Sequence, residues 1–358
     1  MRVLHIAQPT TPTPPWFAFS RQTHHCAGEG SLLAIRSLLR ESAAVAPDDA
    51  HIVALLGASH QHARSAALEV RGAARISPPL GQPHRAAPAL RRLVATAGPL
   101  DAVVCWGANL RRLARRTAHA SHLWLEVDMH SGDLHALDPH RGAVGPSIGS
   151  VVPDLPPLST NAAVLRATAR NQLGITESEP AIALVTDAAC PASATDLLGA
   201  MAMLHVAGIR ATCIMPTATN ELSRAQRRVR EGTYVQRVVY SDHGAAAMHA
   251  ADVAVCAPGS TDALSAHVSL AWLACEAARV GTPIVAPEAW IGAWSHGAAS
   301  PHLLLVSAKA GTPTDIARAI VPLMTGHRPT SISDAASTSK SLLTMLRCAV
   351  STHAAPVG

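Results

Sequence analysis

Val253-Ala-Val-Cys256, then Ser269-Leu-Ala-Trp-Leu-Ala-Cys-Glu-Ala-Ala-Arg-Val280, then Gly281-Thr-Pro-Ile-Val-Ala286 decide the fold class of this chain. The first run and the Ile284–Ala286 run are short and wholly apolar, the pattern of strands covered on both faces. The stretch between them has helix length and ends at Gly281, a residue suited to the left-handed position just past a helix. Strand, helix and strand in this order make a βαβ unit, which requires a parallel sheet.

The same alternation extends in both directions. Toward the C-terminus, Leu303–Val306 predicts a strand, Thr314–Met324 a helix and Ser333–Val350 a last amphipathic helix. Toward the N-terminus come the helix Ala245–Ala250, the strand Val235–Tyr240, a helix near Ser223–Arg230 and the strand Thr212–Met215. The helix Thr195–Ala207 and the strand Ala181–Val185 precede them. Gly142–Asn161 then breaks the pattern, because Pro146, Pro153, Pro156 and Pro157 among Gly and Ser predict a linker. Before it, the strands Val3–Ala7, Ile52–Leu56, Ala102–Cys105 and Leu123–Val127 alternate with helices at Ser31–Arg40, Ala86–Thr96 and Asn109–Ala118.

The expected architecture is therefore α/β, with two Rossmann-like, doubly wound parallel-sheet domains facing a cleft. Residues 1–155 form the first domain and 156–331 the second, and 332–358 supply a helix crossing back to the first. Such sheets bind ligands outside the carboxyl ends of their strands.

Composition removes other classes. The length of 358 residues suits two domains, and only 15% of residues are charged, with 29 Lys+Arg against 24 Asp+Glu. Lysine occurs only at Lys309 and Lys340, never before Ser or Thr in a Gly-Lys pair, so a P-loop is excluded. Ten aromatic residues are too few for a base-stacking sheet, and no nucleic-acid partner is expected. The seven cysteines lack a C-x-x-C pair, which argues against a zinc ribbon or a disulfide framework. Cys105 and Cys256 sit in apolar runs and read as small buried hydrophobes.

With no signal-type apolar stretch and no run of about 18 apolar residues, a cytoplasmic location is expected. The run Asp128–His140 alternates Asp and His but reads as a loop without ligand spacing, as does His60-x-His62, so no metal is expected. Arg111, Arg112, Arg115 and Arg116, and the group at Arg224–Arg230, read as solvated helix faces. Peripheral contact with an acidic membrane surface is the alternative for them.

Several of these segments resemble the GT-B retaining glycosyltransferases of family four, the glycosyl transferases of group 1. Arg2-Val-Leu-His-Ile-Ala7 and Ala27-Gly-Glu-Gly30 are similar to the family's opening strand and Gly-rich loop, and Leu100–Gly107 with Leu123–His130 to its central strands. Arg170–Ile175 resembles the entry to the nucleotide domain, and Leu303–Leu323 the closing strand and helix. His249–Pro258 followed by Ala274-Cys-Glu-Ala-Ala-Arg-Val-Gly-Thr-Pro-Ile-Val-Ala286 is close to the family signature Glu-Ala-x-Ala-x-Gly-x-Pro-Val-Val-Ala.

The resemblance implies metal-independent transfer of a sugar, with retention, from a nucleotide sugar to a glycan or lipid-linked acceptor. The donor is substrate, so no cofactor is implied. It assigns Glu276 to the donor ribose, where a carboxylate accepts from both vicinal hydroxyls. Ser269, Leu270, Ser241, Gly28 and Gly30 become further donor-binding residues, and His130 the catalytic residue beside the sugar. Gly28 and Gly30 serve equally well as a tight strand-to-helix turn.

Two departures bear on activity. The glutamate expected eight residues before Glu276 is Val268, with Asp262 six residues away from that position. The Arg and Lys that neutralise the leaving diphosphate have no counterpart in Thr186–Thr195. The resemblance is thus to a transferase with degenerate catalytic motifs. The alternative is a non-catalytic GT-B module binding a nucleotide, a glycan or a partner protein.

Overall fold

The computed structural model describes residues 1–8, 28–56, 75–76, 85–107, 110–117, 122–129, 131–150, 159–186, 193–216, 227, 236–241, 244–257, 268–288, 290, 305–308, 311–326 and 342–354. The chain divides into two compact units, Met1–Val152 with Ser339–Gly358, and Pro153–Thr338.

The first unit runs β1 (Arg2–Ala7), α1 (Gly28–Val45), β2 (Ala50–Leu55), β3 (Arg75–Ile76), α2 (Ala87–Thr96) and β4 (Ala102–Trp106). Then follow α3 (Arg111–Thr117), β5 (Leu123–Val127), β6 (Asp133–Asp138) and β7 (Ala143–Ser150). Its seven-stranded sheet has the order β3-β2-β1-β4-β5-β6-β7. Strand alternation sends Leu4, Ile6, Val103, Cys105 and Trp124 to one face, where they pack with Leu90 and Val94 of α2 and Leu113 of α3. His5 and His51 point to the other face, where His51 meets Ser42 of α1.

The first five strands are parallel, but β5–β6 and β6–β7 are antiparallel. This corrects two expectations. The Asp/His run holds the strand β6, and the first part of the expected linker is β7. Gly and Pro ordinarily break a strand. Pro146, however, lies in the edge strand, which tolerates a missing N–H, and the β6–β7 pairing shifts register on both sides of His135.

The second unit runs α4 (Ala162–Gln172), β8 (Ala181–Leu184), α5 (Ala194–Val206), β9 (Thr212–Pro216), β10 (Val238–Ser241), α6 (Gly244–Ala250) and β11 (Val253–Val255). It closes with α7 (Val268–Arg279), β12 (Ile284–Ala286), β13 (Leu305–Ser307) and α8 (Pro313–Met324). All six strands are parallel, in the order β10-β9-β8-β11-β12-β13. β8 alternates small and large residues: Ile182 and Leu184 join Leu197, Met201, Leu204, Ile316 and Ile320 in the core under α5 and α8. Ala181 and Ala183 face the other way, so the alanine-rich α6 can approach closely. Filling that core is the main source of stability, and truncating a residue such as Leu197 to Ala is worth about 2–5 kcal/mol.

The last helix, α9 (Leu342–Ala354), belongs to the first unit, and buries Leu343 and Leu346 completely or nearly so. The expected helix at Ser223–Arg230 lies outside the described residues except for Arg227, as do residues 333–341 of the expected final helix.

Candidate functional site

Each sheet reverses its strand order once, between β1 and β4 in the first unit and between β8 and β11 in the second. In local numbering the second sheet reads 3-2-1-4-5-6, the order of dinucleotide-binding sheets. Ligands of such sheets sit outside the strands' carboxyl ends at the reversal.

In the second unit this place is built from the ends of β8 and β11. The Val185 N–H donates to Val255 O at 2.8 Å, and the Ser193 N–H to Ala257 O at 2.9 Å. That second bond fixes the start of α5 beside the end of β11. Thr186 and Ser193 are buried at the crevice. A helix N-terminus here presents the positive end of its dipole, which suits an anion. The sequence already provides part of the compensation: Ser193 Oγ accepts from the Asp196 N–H at 3.1 Å, and Asp196 places a carboxylate in the first turn.

Ser241 ends β10 at the same carboxyl edge and is buried. β9 lies between β10 and β8, which sets Ser241 about 10 Å from the reversal at one strand spacing per step. Val268, Ser269 and Leu270 open α7, the helix that leaves the β11 edge. The Leu270 side chain is fully buried, so only its main chain can face a ligand.

Glu276 is the ninth residue of α7, about 12 Å along the helix axis from Val268. Its carboxylate is almost completely buried. Nη1 of Arg279 donates to Oε1 at 3.1 Å and to Oε2 at 2.9 Å, and His249 Nε2 lies 3.0 Å from Oε2. Because a carboxylate only accepts, His249 presents Nε2–H to it. His249 and Arg279 both lie at the carboxyl ends of their helices, α6 and α7, which lead into the amino ends of β11 and β12. A ribose diol reaching Glu276 has to share it with both.

Other charges of the second unit gather at that amino-terminal edge. Arg166 donates to the Asp252 carboxylate and, at 2.7 Å, to Ala251 O, just before β11. Arg170 bonds Thr176 O and Glu179 O ahead of β8, and Arg237 pairs with Glu179 at 2.9 Å.

In the first unit, Gly28 and Gly30 are the first and third residues of α1, at the carboxyl edge of the parallel sheet. Gly107 follows β4 with a φ of 108°, a conformation that favours glycine, and its N–H donates to Val127 O at 3.0 Å. His130 lies outside the described residues.

Beside the end of β5, Arg111 grips Glu126 through two bonds of 2.6 Å from Nε and Nη2. Glu126 is fully buried and Arg111 is half-buried. The Glu126 hydrogen bond raises the Arg111 pKa against the opposing effect of burial, and the nearby charges of Glu126 and Asp128 add to it. Arg111 therefore departs from the solvated face expected for it, while Arg112, Arg115 and Arg116 are exposed.

A second polar chain crosses the sheet. Trp106 Nε1 donates to His5 Nδ1 at 3.3 Å, His5 Nε2 meets His51 Nδ1 at 3.1 Å, and His51 Nε2 meets Ser42 Oγ at 2.8 Å. The indole can only donate, so His5 accepts at Nδ1 and carries its proton on Nε2. His51 must then accept at Nδ1 and donate from Nε2 to Ser42. One proton arrangement satisfies every link, and in it both imidazoles are neutral. Burial, and next the neighbouring His51, hold the His5 pKa well below 6.5. Burial also lowers that of His51, against the opposing field of Asp49.

Reading the sequence missed both polar groups. The signal was present for Glu126: a carboxylate inside Leu123-Trp-Leu-Glu-Val127 is buried and must find a cation. Cys105 and Cys256 match their reading, whereas Cys348 is exposed. Cys105 and Cys256 are buried, and burial also pushes the Cys213 thiol up to about 12.

No protein-family model and no curated protein matches the sequence. Solved structures do. Anabaena Alr3699/HepE in complex with UDP and glucose is similar at a TM-score of 0.52 and 14% identity, covering 99% of each chain. The fold is GT-B-like. Glycosyl transferase family 9 from Veillonella parvula DSM 2008 follows at a TM-score of 0.47 and 11% identity over 90% of this chain and 97% of its own. E. coli ADP-heptose lps heptosyltransferase II gives 0.46 and 12% over 91% and 99%. Among the described residues of this GT-B-like chain, no helix is long and apolar enough to cross a membrane.

Proposed function

We propose that this chain binds a nucleotide sugar at the carboxyl ends of β8 and β11 and transfers its sugar, with retention and without a metal, to a glycan or lipid-linked acceptor held by the first unit. The observation that carries the reading is the 3-2-1-4-5-6 order of the second sheet, with the starts of α5 and α7 beside its reversal, in a GT-B-like fold. In this scheme the main-chain N–H groups of the first turn of α7, at Ser269 and Leu270, meet the diphosphate. Ser241 borders the donor. Gly28 and Gly30 offer main-chain groups at the first sheet, and His130 contacts the sugar. An oxygen of the donor's own β-phosphate assists the attack. A cytoplasmic location and peripheral contact with acidic lipid belong to the same proposal.

A second reading, a GT-B module that binds a nucleotide, glycan or partner protein without catalysis, is favoured by one specific observation. Glu276, the residue proposed for the ribose, is held by Arg279 and His249. Val268 in place of the preceding glutamate points the same way.

Calorimetric titration with UDP-, GDP- and ADP-sugars tests the binding step, and saturable binding of one of them is expected. Absence of binding by all three would end the transferase reading. Release of free sugar from the bound donor then supports catalysis, and binding without any turnover supports the module.

A further inference from the structure

We propose that the second unit carries another ligand site at the amino-terminal edge of its sheet, for a small organic molecule bearing a phosphate or carboxylate group, with Arg210 as the principal ligand. A cavity of about 300 Å³ opens there over the entries to β8, β9 and β10, lined by Glu179, His205, Arg210, Thr212, Gln236 and Arg237 among others. That volume stands at the lower end of small-molecule sites and exceeds what inorganic phosphate alone would fill.

The walls are fixed by bonds that leave one charge uncompensated. The buried Gln236 amide donates to Met201 O at 2.9 Å and to Ile209 O at 3.2 Å, and accepts from the Ala211 N–H at 3.2 Å. Glu179 receives the Thr212 hydroxyl and Nη1 of Arg237, the latter at 3.0 and 2.9 Å. Nη2 of Arg237 donates to Gly174 O at 2.9 Å. Arg237 and Glu179 thus neutralise one another.

Arg210 differs: it is exposed, lines the same cavity and makes no hydrogen bond or ion pair with the described residues. The lining therefore holds one positive charge in excess, on a planar fork that matches a carboxylate or phosphate bidentately. His205, near the end of α5, adds an imidazole whose Nδ1 is buried without a partner among the described residues. β9, five residues long, separates this edge from the carboxyl edge by about 16 Å, so the site is distinct from that of the proposed donor.

The test is calorimetric titration of the full chain, at low salt, with inorganic phosphate, glucose 6-phosphate and citrate. Saturable binding of at least one probe is expected, weakened at least tenfold by Arg210→Gln. The melting temperature should stay unchanged, because Arg210 supports no described contact. Glucose 6-phosphate binding above inorganic phosphate identifies a phosphomonoester, and citrate alone a carboxylate. No saturable binding by any probe, or equal binding by Arg210→Gln, overturns the proposal. Neither outcome depends on whether a nucleotide sugar binds.

Discussion

In the first unit, three strands carry a polar side chain in their buried interior: His5 in β1, His51 in β2 and Glu126 in β5. In the second, the interiors of β8, β11 and β12 are wholly apolar. Ionic groups gather where strands begin in both units, Met1 with Asp49 in the first and Arg166 with Asp252 in the second. The two sheets share the doubly wound order around their reversal points, so topology does not require the polar groups of the first. A buried carboxylate or imidazole destabilises a sheet unless every bonding position is met. The first unit meets them with Arg111, Trp106 and Ser42. What it gains is a single arrangement of its layers, since a slipped strand would strand a charge.

The strongest way to break this comparison is Arg111→Ala. It leaves the fully buried Glu126 carboxylate without its cation, and a loss of about 3–5 kcal/mol is expected in urea denaturation. The double change Arg111→Met with Glu126→Leu should recover most of it, because the apolar pair needs no compensation. A loss below about 1 kcal/mol for Arg111→Ala would mean that water reaches Glu126 and that the first sheet is no different from the second.

Glu276→Ala asks the same question of the second unit, with a smaller expected answer of about 2 kcal/mol. Arg279 and His249 keep 15% and 13% of their side chains exposed, so they can rehydrate where Glu126 could not. Glu276→Gln sharpens the test. If the carboxylate binds ribose, nucleotide-sugar affinity falls at least tenfold in the titration; if it serves only the two helix ends, affinity holds while stability drops.

These residues also mark how far the sequence could be read. Apolar strand runs and glycine-closed helices announced both sheets, because burial on two faces is written in consecutive residues. The β6–β7 hairpin was hidden because an edge strand accepts the Pro and Gly that elsewhere end one. The Arg111–Glu126 and His5–His51 contacts join positions 15 and 46 residues apart, the first brought together by the packing of α3 against β5 and the second by strand register. For the site, the order of elements indicated which sheet edge to examine. Arg279 stands three residues after Glu276 on a predicted helix, so that pair was legible, but nothing local to Glu276 showed that His249 would join it.

Acid separates the units next. Burial depresses the pKa of His5 and of His51, so the unfolded chain binds protons that the folded first unit refuses. Their contribution is complete above about pH 6.5, the ordinary histidine value, and is lost progressively as pH falls below it. Hydrogen exchange at pH 7.5 and 5.5, corrected for the intrinsic rate, should show protection of β1, β2 and α1 falling while β8 and β11 hold. Equal change in both sheets would assign the acid sensitivity elsewhere.

The smallest effect is expected at α9. Nε and Nη2 of Arg347 lie 3.2 and 3.1 Å from Asp49 Oδ2, yet the Arg347 side chain is 44% exposed. The Asp49 carboxylate is nearly buried, but it retains the Met1 ammonium at 2.8 Å when Arg347 is removed, so only the share of the half-exposed Arg347, about 0.2–1 kcal/mol, is lost. Arg347→Ala should therefore cost less than about 1 kcal/mol in the same denaturation experiment, and less still in high salt. Leu343 and Leu346, buried on the same helix, then account for its docking. A larger, salt-sensitive loss would reverse that assignment, and would make the Met1, Asp49 and Arg347 cluster at the amino edge of the first sheet the main fastening of α9.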